Sequence, residues 1–288
     1  MVRKTTQLRG LLKKGTVVAP GAFNAITAKL IERTGFEAVY ISGAGIINGL
    51  TGFPDIGLLT MTEVVTQARY IADAVEIPAI ADADTGYGEA LNVVRTVREF
   101  ERAGVAGIHI EDQVSPKRCG HLSGKQLIPV ETMTQKLRAA VEAKTDPDFL
   151  IIARTDARGV TGFEDAVERA KRYIDAGADA IFPEALETEE DFATFVEAVP
   201  DVPLLANMTE FGKSPYLTVE QFASMGYRIV IFPMTAFRVA MKAVEEMLIE
   251  LQKSGTQAGL LNRMQTRQEL YELIHYSDYE QLDRRVAR

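Results

Sequence analysis

One segment concentrates the side chains able to do chemistry: Ser115-Pro116-Lys117-Arg118-Cys119-Gly120-His121. It holds the sole cysteine of the chain and one of its three histidines. Two cations directly precede the thiol, and a glycine frees the backbone after it. A run this polar offers no apolar face, so it predicts an exposed loop rather than a strand or a core helix. An accessible thiol in an electropositive setting is where cysteines ionise and react, and these basic neighbours predict a thiolate. A free cysteine is also commonly a small buried hydrophobe, so what the loop overhangs decides its role.

Acids gather near it. Asp82 and Asp84 stand two apart at the end of an apolar run, and on a strand that spacing points both carboxylates to one side. Glu111 closes the next apolar run. Carboxylates converging on one mouth repel unless a cation neutralises them, and oxygen donors without a cysteine or histidine cluster suit Mg²⁺, or Mn²⁺, rather than zinc. Asp112 and Asp156 read instead as partners of loop amides. Lys117, His121, Arg154 and Arg238 bring positive charge to the same mouth, and cations with a metal describe a pocket for a small polyanion. Arg154 is the best anchor, since a guanidinium pairs with carboxylate in bidentate fashion. His109 reads as an interior histidine and His275 as structural.

The elements that must position these groups announce themselves by punctuation. A glycine that ends a helix, followed by a short apolar strand, recurs at Gly35, Gly104, Gly177 and Gly226. Between these come strands entered through proline, at Pro78, Pro147 and Pro203. With Thr16-Val17-Val18-Ala19 this gives eight strands. Thr60 with Glu63, Thr161 with Glu164 and Thr218 with Gln221 have capping-box spacing, which predicts helix starts. Short apolar strands alternating with amphipathic helices specify a parallel sheet covered by helices. Eight of them predict an α/β fold of the (β/α)8 TIM-barrel type, with chemistry at the strands' C-terminal ends. No Gly-x-Gly-x-x-Gly follows the first strand, which argues against a doubly wound sheet. Residues 1–288 read as one barrel domain with a helical arm over about 255–288, which either crosses its own barrel or reaches a neighbouring subunit.

The net charge of −8 argues against a nucleic-acid surface. No run approaches the length of a membrane span and no apolar segment follows the basic start, so the expectation is a cytoplasmic protein without signal peptide or membrane contact. One cysteine permits no internal disulfide and fits a reducing compartment.

The loop Lys117-Arg118-Cys119-Gly120-His121 resembles the signature of the lyase branch of the isocitrate lyase/phosphoenolpyruvate mutase superfamily. The Ser42-Gly43-Ala44 turn, Asp55, the Asp82/Asp84 pair, Glu111, Arg154, Glu184 and Asn207 to Thr209 match as well, as do Arg238 and Arg267. Ala44 departs from the glycine of many relatives but keeps the backbone amide. The resemblance implies Mg²⁺ held by Asp55, Asp82, Asp84 and Glu111. It implies a substrate contacted by Ser42, Gly43, Ala44, Cys119, Gly120, Arg154, Glu184, Asn207, Thr209, Arg238 and Arg267. It also implies a mobile cysteine loop and a homotetramer in which the last helix is exchanged between subunits. Phe182, Ile231 and Pro233 resemble the pocket wall of the methyl-accepting members, implying Mg²⁺-dependent cleavage of 2-methylisocitrate to pyruvate and succinate in propionate catabolism by the methylcitrate cycle. Cys119 would then be the general acid, with Lys117 and His121 stabilising the carbanion. Tyr40 and a metal-site carboxylate both remain open as the base. The rivals are isocitrate cleavage, a carbon–phosphorus mutase, an oxaloacetate hydrolase or decarboxylase, and a non-catalytic barrel that senses a polyanion.

Overall fold

The computed structural model describes residues 2–122 and 124–287. Its strands are β1 (Val17–Ala22), β2 (Val39–Ile41), β3 (Ala79–Asp82), β4 (Gly107–Glu111), β5 (Leu150–Thr155), β6 (Ala180–Pro183), β7 (Leu205–Asn207) and β8 (Ile229–Phe232). Between and around them run α1 (Lys4–Lys14), α2 (Ala25–Arg33), α3 (Gly43–Thr51), α4 (Met61–Asp73), α5 (Ala90–Arg102) and α6 (Val130–Ala143). The second half adds α7 (Phe163–Asp175), α8 (Glu189–Ala198), α9 (Val219–Met225), α10 (Thr235–Ser254), α11 (Arg267–Leu273) and α12 (Tyr276–Val286).

Every strand pair is parallel, in the order β6-β5-β4-β3-β2-β1-β8-β7. The β6–β7 gap is joined by a single parallel bridge, Ile181 to Leu204, which completes the (β/α)8 barrel. Successive strand residues alternate sides. Tyr40, Ile80, Ile152, Phe182, Leu205 and Ile231 fill the interior, while their neighbours Ile151, Ile181 and Val230 face the helices. Leu8 and Leu12 of α1 pack into the same interior cluster and stopper the end remote from the strands' C-termini.

Gly35, Gly104, Gly177 and Gly226 all take positive φ, as helix-ending glycines should. Thr60 and Thr218 form the expected capping boxes. Thr161 does not. Its amide is spent on Ala157 in a preceding 3-10 turn and its hydroxyl donates to Asp165, so α7 starts one residue later from Gly162. The C-terminal arm is present as α11 and α12, with Leu260 and Leu273 buried and Tyr271 stacked on Tyr276. The twenty residues of α10 include none that is buried in the single chain. Among the described residues, no helix is long and apolar enough to cross a membrane.

Gly107 begins β4 where a Cβ would stand 2.6 Å from the Leu150 side chain and 2.8 Å from its carbonyl. Gly107→Ala is therefore expected to lower stability by about 1–3 kcal/mol through overpacking, read as a drop in the thermal unfolding midpoint; an unchanged midpoint would contradict this register.

Candidate active site

The strands' C-terminal ends open into one cavity of about 500 Å³ that includes neighbouring open space. Tyr40 of β2, Asp82 of β3, Arg154 of β5, Phe182 of β6, Asn207 of β7 and Ile231 of β8 all line it. So do Ser42, Asp55, Glu184, Thr209 and Pro233 from the loops that follow, Ala44 in the first turn of α3, and the whole run Lys117 to His121. Most of the residues singled out from the sequence thus share one mouth, while Gly43, Asp84 and Glu111 stand beside it without lining it. Ser42 is the N-cap of α3, accepting from the Gly45 amide. Gly43 lets that helix start approach the acids, because a Cβ there would fall 2.6 Å from Asp82 Oδ2.

The two aspartates converge for a different reason from the one expected. β3 stops at Asp82; Asp84 lies beyond it in the left-handed region at φ 45°, and its amide donates to Asp82 Oδ1 at 2.9 Å. A turn, not a strand face, gathers them. Between them and Asp55 sits the buried Lys117 ammonium, 2.5 Å from Asp55 Oδ1 and 2.9 Å from Asp84 Oδ1. Burial works against its charge, but Asp84, Asp55, Glu111 and Asp82 more than reverse this and hold its pKa well above the ordinary lysine value. Glu111 is buried with Oε1 unpartnered. Burial pushes its pKa well up, against the opposing pull of Arg154 and Lys117.

Arg154 is the hub. Its Nε and Nη2 grip Asp156 at 2.9 and 3.1 Å, Nε lies 3.3 Å from Glu111, and Nη2 lies 3.8 Å from Glu184. Burial opposes its charge; Asp156, Glu111 and Glu184 override that and keep it cationic. Asp112 supports this centre by accepting from the Asp156 amide and from Thr155, Arg169 and Tyr173. Its role as a holder of loop amides is the one expected. Asp156 instead binds cations, Arg154 and the buried Lys125. Glu184 receives the Asn207 amide, and despite burial its pKa is driven far down, chiefly by Arg154 and then His121. His121 accepts from the Lys213 amide at Nδ1, which places its proton on Nε2, 3.2 Å from Glu184 in ion-pair rather than well-aligned hydrogen-bond geometry.

The cysteine loop is folded down onto this centre. A Cβ at Gly120 would fall 2.1 Å from Glu184 Oε1 and 2.5 Å from Arg154 Nη2, so only glycine brings the backbone this close. Cys119 stands exposed at the rim. The thiolate expected from its basic neighbours is not what the structure provides. The surrounding protein raises the thiol pKa, with Glu184 adding to the effect and the His121 amide and Arg154 only partly offsetting it. The Lys117 charge is meanwhile spent on Asp55 and Asp84. A thiol that keeps its proton is a ready acid.

Tyr40 is buried, with its hydroxyl 2.7 Å from His109 Nε2. Burial, followed by Asp82, raises its pKa well above the usual phenol value, so it offers an O–H rather than a phenolate. His109 is wholly interior, and burial lowers its pKa. Two expected substrate contacts are not brought to the cavity of the single chain. Arg238 pairs with Glu210 at 3.2 Å and lies over Phe211, while Arg267 starts α11 and borders a hollow of the arm. Lys125 went unsingled in the sequence, where nothing marks a lysine after Gly124 as buried.

The site can hold a divalent metal. Glu111 Oε1 is a buried oxygen without a hydrogen-bond partner, Asp84 Oδ1 meets the Lys117 ammonium as an ion pair, and these are the hard oxygen donors such an ion takes. Among the described residues no three acidic, histidine or cysteine groups form a ready-made chelate. Magnesium needs none, since it commonly keeps several waters and takes one or two carboxylates.

A barrel mouth with this loop and these acids has relatives. The profile of the phosphoenolpyruvate phosphomutase family matches residues 8–252. The chain belongs to this phosphoenolpyruvate mutase/isocitrate lyase family. Within it, a 2-methylisocitrate lyase of Aeropyrum pernix is 57% identical, over 98% of this chain and 90% of that protein. The crystal structure of a 2,3-dimethylmalate lyase superposes with a TM-score of 0.94 at 36% identity, covering 99% of this chain and 96% of the other. That of a phosphonopyruvate hydrolase in complex with oxalate and Mg²⁺ gives 0.90 at 32%, covering all of both chains. This family member therefore shares its barrel with a 2,3-dimethylmalate lyase and a phosphonopyruvate hydrolase.

Alkylation of Cys119 by iodoacetamide should show a pH midpoint above the roughly 8.5 of a free thiol. Glu184→Gln should move that midpoint down, because it removes a charge that raises it. A wild-type midpoint below the free-thiol value would restore the thiolate.

Proposed function

We propose that the protein is a Mg²⁺-dependent carbon–carbon lyase that cleaves 2-methylisocitrate to pyruvate and succinate. The observation that carries this reading is the closure of the Lys117–His121 loop on Arg154 and Glu184, which puts a protonated thiol over a strand-end pocket lined by acids and cations. The 57% identity to a 2-methylisocitrate lyase supports the same substrate.

The reaction breaks the bond between the hydroxyl-bearing carbon and its neighbour. The hydroxyl proton leaves, the C–O bond becomes the ketone of pyruvate, and the electron pair stays on the succinate carbon until a proton quenches it. Asp55, Asp82, Asp84 and Glu111 would hold the metal, directly or through water. When bound, Mg²⁺ supplies Lewis acidity that eases loss of the hydroxyl proton and polarises the forming ketone. The chain's own groups do the rest. Arg154 holds a carboxylate, the cationic Arg154 and Lys117 favour the negative charge that develops, and the Nε2–H of His121 is a further donor to it. The raised pKa of Tyr40 disfavours it as base, leaving the carboxylates around Lys117 to accept the hydroxyl proton. Cys119 delivers a proton to the carbanion.

Phe182, Ile231 and Pro233 give the pocket an apolar wall for the extra methyl. One methyl is worth about 1–3 kcal/mol, so some isocitrate cleavage should persist. We read the protein as a cytoplasmic enzyme of propionate catabolism and as a homotetramer with exchanged C-terminal helices. The unburied length of α10 supports such a subunit contact.

A product assay tests the reading. With Mg²⁺, 2-methylisocitrate should yield pyruvate, isocitrate only a little glyoxylate, and phosphonopyruvate and 2,3-dimethylmalate none; chelation should abolish turnover and added Mg²⁺ restore it. Faster turnover of any of the other three would reassign the substrate. Cys119→Ser should cut kcat by roughly 10²–10⁴-fold, and full retention would remove Cys119 as the acid.

A further inference from the structure

We propose that Gln113 and Lys125 are positioning residues that grip the peptide groups on either side of Cys119 and set where its thiol stands over the pocket. The inference rests on Cys119 being the proton donor. Neither residue lines the cavity, and both direct polar atoms at the loop backbone.

Gln113 follows β4 and is 1% exposed. Its carboxamide makes two bonds to one residue: Nε2 donates to the Arg118 carbonyl at 2.9 Å, and Oε1 accepts the Arg118 amide at 2.9 Å. A side-chain amide thereby imitates the ladder partner of a strand, for the residue directly before the thiol. The Gln113 backbone is itself fixed by an antiparallel bridge to Leu127 on the returning leg of the loop, flanked by bonds from Val114 to Gln126 and from Ile128 to Asp112.

Lys125 acts on the other side. Its ammonium is buried and donates to the Gly120 carbonyl, the peptide group one residue after the thiol, and to Asp156 Oδ1 at 2.8 Å. A buried ammonium is expensive unless it is paired and bonded, so the folded-down loop and Asp156 together are what allow Lys125 to be buried. Asp156 also grips Arg154. The position of the Gly120 carbonyl is thus tied, through one carboxylate, to the guanidinium proposed to anchor the substrate. Only Cys119 lies between the two gripped residues, and its own carbonyl accepts the Leu122 amide.

Hydrogen–deuterium exchange on the full chain, with steady-state kinetics on 2-methylisocitrate and Mg²⁺, tests this in two independent variants. Gln113→Glu keeps the size and the acceptor but sets a carboxylate against the Arg118 carbonyl; Lys125→Met keeps the stem and removes the ammonium. In each, exchange over residues 117–122 should accelerate and kcat should fall, both by roughly tenfold or more, with KM changed by less than about threefold. Exchange over β4 and β5 should stay as in the wild type. Unchanged loop exchange, a loosened loop with undiminished kcat, or faster exchange spread through β4 and β5 would each overturn the proposal. Loss of the acid role would show separately, as an active Cys119→Ser enzyme, without altering the exchange pattern of the two variants.

Discussion

The placement of Arg154 governs this molecule. A guanidinium buried at a barrel mouth is tolerable only if its charge is met, and here Asp156, Glu111 and Glu184 meet it from three strand ends. Breaking a buried pair of this kind costs about 3–5 kcal/mol, because the abandoned charge stays desolvated. The same arrangement dictates the states of its neighbours. Glu184 stays ionised, Asp156 has its pKa lowered despite full burial, and the thiol loop has a negative surface to settle on. Removing Arg154 would therefore do more than delete a substrate contact.

Two cationic centres divide the mouth between them. Arg154 balances the acids at the ends of β4, β5 and β6, and Lys117 balances Asp55 and Asp84 on the side toward β3. The division matters because Lys117 belongs to the same loop as Cys119. The bonds that hold Lys117 among the acids also carry the thiol across toward Arg154, and Gly120 gives the last of the approach by having no side chain. Loop position and site electrostatics are a single constraint.

The barrel was legible because its signals are local. A left-handed glycine ends a helix whatever lies around it, as Gly35 and Gly226 show, and alternation of strand and helix admits few topologies. Strand-end residues such as Glu111, Arg154 and Asn207 inherited their location from that topology. What escaped depended on contacts distant in sequence. Thr161 has a capping-box spacing, yet a preceding 3-10 turn claims its amide. Lys125 reads as another loop cation until Asp156, thirty-one residues on, is seen to bury it. Arg238 and Arg267 lie in or beyond α10, where the single chain offers no wall to turn them toward the pocket.

The thiol shows most clearly why neighbouring charges in a sequence mislead. Lys117 and Arg118 precede Cys119, and counting them predicts a thiolate. In space the Lys117 ammonium is taken up by Asp55 and Asp84, while partial desolvation at the rim and the Glu184 charge both raise the pKa of the thiol. A thiolate would have to be reprotonated before each turnover; a thiol held above its usual pKa arrives with the proton a carbanion needs. The cations of the loop thus serve to hold it down over the acids, and the acidity of Cys119 is set by what the loop is held against.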